Sequence, residues 1–246
     1  MNGTNGMSRW LLRRPDPLAG ARVFCIPYAG CGATMYRPWP VDVGGVEIVP
    51  VQLPGRENRM REKTPDTNQE LAVEMVANLA PYLDRPYGFF GHCGSALLAY
   101  QAAVQAEANG TAAPGHLFAS SQVAPQDGPT GRFLELDDDG LDAELRILIE
   151  QRGGTPSPDV LDLALEIMRS DIEINKRYVV PEPTRLSMPI TTIGWTEDRE
   201  VEHHTMDGWK RCGDTEHHVL PGTHYRFLDG PPELFALFVA GLGVGA

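Results

Sequence analysis

Short apolar runs bounded by Gly and Pro alternate along this chain with helical patterns, and that alternation restricts the fold more than any other feature. Residues 22–27 (Arg22-Val23-Phe24-Cys25-Ile26-Pro27) read as a buried strand, as do 46–52 and 87–92. Residues 116–121, 189–194 and 216–220 are later candidates. Between them, residues 67–83 open with Thr67 and Glu70 at capping-box spacing. Residues 95–109 form an Ala-rich helical pattern that stops at Asn109-Gly110, and 232–242 have the pattern of a final amphipathic helix. This order predicts an α/β fold with a mostly parallel central sheet and helices on both faces. At 246 residues, one domain spanning about 9–246 can bury its core without a disulfide or metal staple. Residues 1–8 are expected to form a flexible tail.

One segment interrupts the alternation. Residues 134–178 hold two helical patterns and no strand. The first places Leu141, Leu145, Leu148 and Ile149 on one face, and the second Leu161, Ala164, Leu165 and Met168. Gly153-Gly154-Thr155-Pro156 separates them. A helical insertion at about 130–180 is expected to act as a lid over the carboxyl edge of the sheet, where α/β proteins bind ligands. The alternative is an ordinary helix pair on the sheet flank.

Charge and cysteine usage narrow the function. Acidic residues number 33 against 21 basic, a net charge of −12. Broad phosphate-backbone binding needs a basic face, so no nucleic acid partner is expected. No apolar run approaches the ~20 residues of a membrane span, and the N-terminus lacks a signal-peptide core. The expectation is a cytoplasmic protein with reduced thiols. Cys25, Cys31, Cys93 and Cys212 are too irregularly spaced for a zinc module or a disulfide scaffold.

The chemistry concentrates at Tyr87-Gly88-Phe89-Phe90-Gly91-His92-Cys93-Gly94-Ser95. An apolar strand runs directly into Gly-x-Cys-x-small and then into a helix, the setting of a nucleophile elbow. Small flanking residues are needed at such a bend, and Gly91 and Ser95 supply them. The start of a helix carries partial positive charge, which favours a thiolate at Cys93. The plainer reading is a buried cysteine at a strand end. Triad partners on this architecture follow in the order nucleophile, acid, histidine. His224 lies in Leu220-Pro221-Gly222-Thr223-His224-Tyr225, after the last strand. Asp198 lies in Gly194-Trp195-Thr196-Glu197-Asp198, after the preceding one. His224 is the candidate base and Asp198 the acid that fixes its tautomer, with Glu197 the competing acid.

The remaining histidines carry less. His203 and His204 fall in a helical stretch, His217 and His218 on the last strand, and His116 begins a strand. No metal site is expected from them. An oxyanion needs preorganised donors. The candidates are the Gly94 N–H and a backbone N–H from the loop Pro27-Tyr28-Ala29-Gly30-Cys31-Gly32, Ala29 first and Tyr28 second. Tyr28 and His92 are the candidate substrate-binding side chains, although His92 equally suits a packing role beneath the elbow.

These pieces resemble a known family. Ile26-Pro27-Tyr28-Ala29-Gly30, Gln52-Leu53-Pro54-Gly55-Arg56-Glu57, Gly91-His92-Cys93, Arg169-Ser170-Asp171, Gly194…Asp198…Val201 and Gly222-Thr223-His224 are similar, in order, to the stand-alone type II thioesterases of polyketide and nonribosomal peptide assembly lines. The resemblance implies an α/β-hydrolase fold, a helical lid, and a triad carried onto Cys93, Asp198 and His224. It implies cleavage of acyl thioesters from an acyl or peptidyl carrier protein, whose phosphopantetheine arm brings the substrate. The enzyme itself needs no cofactor. The family usually reads Gly-His-Ser-Met-Gly at the elbow, whereas this chain has cysteine at 93, Gly94 and Ser95.

The sulfur changes the chemistry. Cysteine attacking a thioester forms another thioester, so loading is close to isoenergetic and the acyl group stays activated. Hydrolysis and transfer of the acyl group to an amine, alcohol or thiol, or ring closure, are therefore both open. For carrier docking, the densest basic run is Arg56, Arg59, Arg61 and Lys63, diluted by Glu57 and Glu62. It reads equally as a solvated loop. A non-catalytic binding shell is the competing class.

Overall fold

The computed structural model describes residues 8–110, 112–128, 130–151 and 153–243. Residues 1–7 of the expected tail lie outside the described residues. Seven strands form one sheet in the order β2-β3-β1-β4-β5-β6-β7. They are β1 (Ala21–Cys25), β2 (Asp42–Val43), β3 (Val46–Pro50), β4 (Tyr87–His92), β5 (His116–Ser120), β6 (Ile190–Trp195) and β7 (Thr215–Leu220). All neighbouring pairs are parallel except β2 with β3. The helices are α1 (Asn68–Leu79), α2 (Gly94–Ala108), α3 (Asp138–Gln151), α4 (Pro158–Arg177) and α5 (Pro232–Leu242).

Burial on both faces explains why the strands read as continuous apolar runs. Side chains alternate between two cores. Phe24, Phe89, Leu117 and Ala119 join α1 and α2 on one face. Val23, Cys25, Phe90 and Phe118 join α5 on the other. β2 is absent from the sequence reading. It is two residues long and exists through the Gly44-Gly45 turn, with φ of +59° and +86°, a hairpin geometry that favours glycine. At α1, the Thr67 side chain accepts a hydrogen bond from the Glu70 N–H at 3.2 Å, so the capping expectation holds. The α-helix ends at Leu79, four residues short of the expected bound, and Pro81 sits in a tighter 3-10 turn.

The helical insertion is present as α3 and α4. Leu141, Leu145, Leu161, Met168 and Ile172 form a small core of their own with Phe133. Leu148 instead joins the α5-side core. The pair packs over the loop that follows β1: a Cβ added at Gly30 would meet Met168 at 3.1 Å and Leu145 at 3.6 Å.

Candidate active site

The bend after β4 brings a thiol to the carboxyl edge of the sheet. Cys93 has φ of +55° and ψ of −135°, a conformation an L residue adopts only where its surroundings enforce it. The Cys93 N–H is tied to the Ser120 carbonyl at 2.8 Å. At Gly91 any Cβ would overlap the Ser95 backbone carbonyl, so the first small position admits glycine alone. The second tolerates a serine because its side chain turns back into the bend. Ser95 Oγ accepts from the His92 N–H at 3.0 Å and donates to the His92 carbonyl at 2.9 Å. Cys93 is half-buried, while the other three cysteines are buried. Burial pushes the Cys25 thiol well up and that of Cys212 to about 12, which leaves both protonated.

His224 is buried, and this thiol lies near enough to its ring to help raise its pKa. Its Nδ1 donates to the Asp198 carboxylate at 3.0 and 3.1 Å. Asp198 also accepts from Ser121 Oγ at 2.6 Å and from the Glu200 and Val201 N–H groups at 2.8 and 3.1 Å. Burial works against charge on both partners and is the largest influence on each. Their mutual bond outweighs it, with help from Cys93 for the ring and from Ser121 and Val201 for the carboxylate. His224 is held up at about 10 and Asp198 well below the usual carboxylate range. Glu197, the competing acid, is exposed. Ser121 was not foreseen from the sequence. Its φ of +47° aims its hydroxyl at Asp198, and no local pattern announces that geometry.

The two oxyanion candidates have the right backbone. The Gly94 and Ala29 N–H groups make no hydrogen bond among the described residues, and both line the cavity beside Cys93. The alternative donor is ruled out locally, because the Tyr28 N–H points at Met35 Sδ at 3.1 Å. Asp171, on α4, accepts from the Gly30 N–H at 2.9 Å and takes both arms of the buried Arg56 guanidinium at 2.7 and 2.9 Å. Arg56 in turn donates to the Cys31 carbonyl at 3.1 Å. The helical pair is thereby fastened to the loop that carries Ala29.

Two sequence expectations need correction. His92 is fully buried, stacked on Phe227 with ring centroids 3.9 Å apart and bonded to Ser120 Oγ at 2.8 Å. It packs beneath His224 and is not a substrate contact. Burial pushes its pKa well down, with His224 adding to the effect, so it stays neutral there. The basic run is also not a patch. Arg56 is consumed by Asp171, and Arg59 is buried against Glu62, the Gln52 carbonyl and the Trp10 ring. Only Arg61 and Lys63 are exposed, and Lys63 pairs with Asp66. Tyr28, by contrast, lines the cavity, its hydroxyl 3.5 Å from His224 Nε2. His116 bonds Thr191, and His217 bonds Thr192 and stacks with His203. Among the described residues no cluster of three or more His, Cys, Asp or Glu could hold a metal, and no helix is long and apolar enough to cross a membrane.

A family model described as a thioesterase domain matches residues 21–240. The chain belongs to the thioesterase family. The gramicidin S biosynthesis protein GrsT of Aneurinibacillus migulanus is 30% identical over 243 residues, covering 93% of this chain and 91% of its own. Among solved structures, the thioesterase RedJ of the Streptomyces coelicolor prodiginine pathway shares 32% identity with a TM-score of 0.77, covering 94% of each chain. The type II thioesterase BorB of the borrelidin cluster shares 26% identity with a TM-score of 0.80, covering 95% of this chain and 97% of its own. The resemblance to type II thioesterases, the α/β-hydrolase fold and the assignment as a hydrolase of thioester bonds are thus borne out.

The electrostatics of this thioesterase predict a pH response. A raised histidine stabilises the folded state fully below about pH 6.5. That contribution is lost as pH rises through about 10. The depressed Asp198 contributes above about pH 4 and loses its share as pH falls through its lower folded value. In Asp198→Asn the amide no longer favours the imidazolium. The alkaline limb of the kcat/KM profile is expected to move down by about three pH units. A limb that stays near its wild-type position would contradict the pairing.

Proposed function

We propose that Cys93, His224 and Asp198 form a triad that releases acyl groups from the phosphopantetheine arm of an acyl or peptidyl carrier protein in polyketide or nonribosomal peptide biosynthesis. The observation that carries this reading is the strained thiol beside a histidine that is itself bonded to a buried carboxylate, facing two unpaired backbone donors. Cys93 Sγ, its proton taken by His224, attacks the thioester carbonyl. The oxyanion is held by the Ala29 and Gly94 N–H groups. The carbon–sulfur bond to the arm breaks, and the leaving thiolate takes the proton from His224. Water then attacks the acyl-S-Cys93 thioester, giving a proton to His224, and Cys93 leaves as the free acid forms. The helical pair α3 and α4 acts as a lid over this site.

The cavity beside Cys93 is narrow, about 30 Å³, walled by Leu97, Phe133, Leu134, Ile172 and Val201. That volume holds only about two water-sized groups, so larger acyl groups require the wall formed by Phe133 and Leu134 to give way. The apolar walls of this cavity also fit a second reading, acyl transfer or cyclisation onto an amine, alcohol or thiol, which requires water to be kept out. Intact-mass measurement after mixing with a short acyl pantetheine thioester tests both. The expected result is one acyl adduct on the wild type and none on Cys93→Ala. Rapid loss of the adduct in buffer supports hydrolysis. An adduct stable in buffer and discharged by added amine supports transfer. Turnover by Cys93→Ala at the wild-type rate would refute the triad.

A further inference from the structure

The cavity beside Cys93 is apolar except for a few side chains, and two of these are carboxamides with the same arrangement. Gln122, nearly fully buried at the end of β5, has its Oε1 bonded by the Val123 N–H at 2.9 Å. A backbone N–H can only donate, so this bond identifies the oxygen end. Gln122 Nε2 makes no hydrogen bond among the described residues. Asn175, on α4, accepts from Asn68 Nδ2 through its Oδ1 at 3.4 Å. Its Nδ2 is also unbonded, and lies so close to Gly94 that any Cβ at residue 94 would overlap it. Gly94 is thus the small residue that lets a polar group from the helical pair reach the edge of the oxyanion site. Asn175 also lines a second small cavity, with Leu53, Leu71, Leu98 and Ile174.

Both oxygens are satisfied by the protein and both NH2 groups are left for a ligand. A donor that a bound acyl group covers without offering an acceptor is costly. A site built this way discriminates against substrates that leave its donors unpaired. We propose that Asn175 and Gln122 are specificity-determining residues that select acyl groups bearing a hydrogen-bond acceptor, a hydroxyl, keto or amide oxygen, within a few bonds of the thioester, over plain alkyl acyl groups. The proposal deepens the thioesterase reading and rests on it. Asn175 is the nearer to Gly94 and reads the oxygen closest to the reacting carbonyl.

The test compares kcat/KM for 3-hydroxybutyryl- and butyryl-pantetheine thioesters. Taking the ratio of ratios between enzymes cancels the intrinsic reactivities of the two substrates. The hydroxy-to-alkyl preference is expected to fall about tenfold in Asn175→Leu and severalfold in Gln122→Met, the loss on the hydroxy substrate exceeding any loss on butyryl. Asn175→Gln, which keeps the donor, should recover part of the preference. An unchanged preference in both variants, with wild type active and Cys93→Ala dead, would overturn this proposal alone. Equal loss on both substrates would also overturn it, assigning the amides to the oxyanion or to folding. A wild type no faster than Cys93→Ala would remove the triad, and this proposal with it.

Discussion

Replacing Cys93 with alanine is expected to lower kcat/KM for acyl thioesters by about 10⁴-fold or more, the scale of losing a covalent nucleophile. The reason is geometric. Among the described residues no other thiol or hydroxyl combines the strained bend, His224 at its side and the Ala29 and Gly94 donors. Folding should be spared, because Cys93 is only half-buried and a smaller side chain leaves little void. Cys93→Ser is the sharper variant. Its oxygen keeps the place of the sulfur and the oxyanion donors remain, so hydrolysis should persist within about 100-fold of wild type. Its acyl-enzyme is an oxoester and no longer exchanges isoenergetically with thiols. The ratio of thiol transfer to hydrolysis should therefore drop. Stopped-flow release of pantetheine measures loading and product analysis measures partition. A Cys93→Ala protein within tenfold of wild type would refute the assignment.

Arg56→Ala is expected to cost stability and rate together. Arg56 is buried and makes two charge-assisted bonds to Asp171 plus two to the Cys31 and Pro54 carbonyls. Removing one partner of a buried ion pair costs about 3–5 kcal/mol. Asp171 retains some exposure, 14% of its side chain, so the low end applies. For a chain of this size that is a fall in Tm of about 10 °C. Asp171 also fixes the Gly30 N–H, next to the Ala29 donor. Losing that orientation should reduce kcat about 10²-fold, as loss of an oxyanion donor does, while KM for small thioesters changes little. Asp171→Asn keeps an acceptor for Gly30 but breaks the bidentate pair. It should lose stability while retaining more of kcat than Asp171→Ala. Parallel thermal melts and steady-state kinetics check both. Variants that melt like wild type would show that the helical pair is not fastened through Arg56 and Asp171.

The strands, the elbow and the triad candidates were legible because each is written in adjacent residues. Burial on both sheet faces makes apolar runs, and a bend without room makes Gly91. The order of elements places Asp198 and His224 after neighbouring strands. The supports of the site were not legible. Ser121, Asn175 and Gln122 carry no local pattern, the Asp171 of the Arg169-Ser170-Asp171 motif gave no sign of its pairing with Arg56, and the basic run from Arg56 to Lys63 looked like surface when its first half is buried structure. His92 likewise stands next to the nucleophile in sequence but faces Phe227.

Sequence alone determined the sheet, the bend at Cys93 and the family, since these follow from hydrophobic periodicity, glycine sterics and the order of motifs along the chain. Tertiary structure decided which backbone N–H groups stand unpaired beside Cys93, which acid holds His224 and which arginines are buried, because those depend on distances between residues far apart in the chain, which no local pattern encodes.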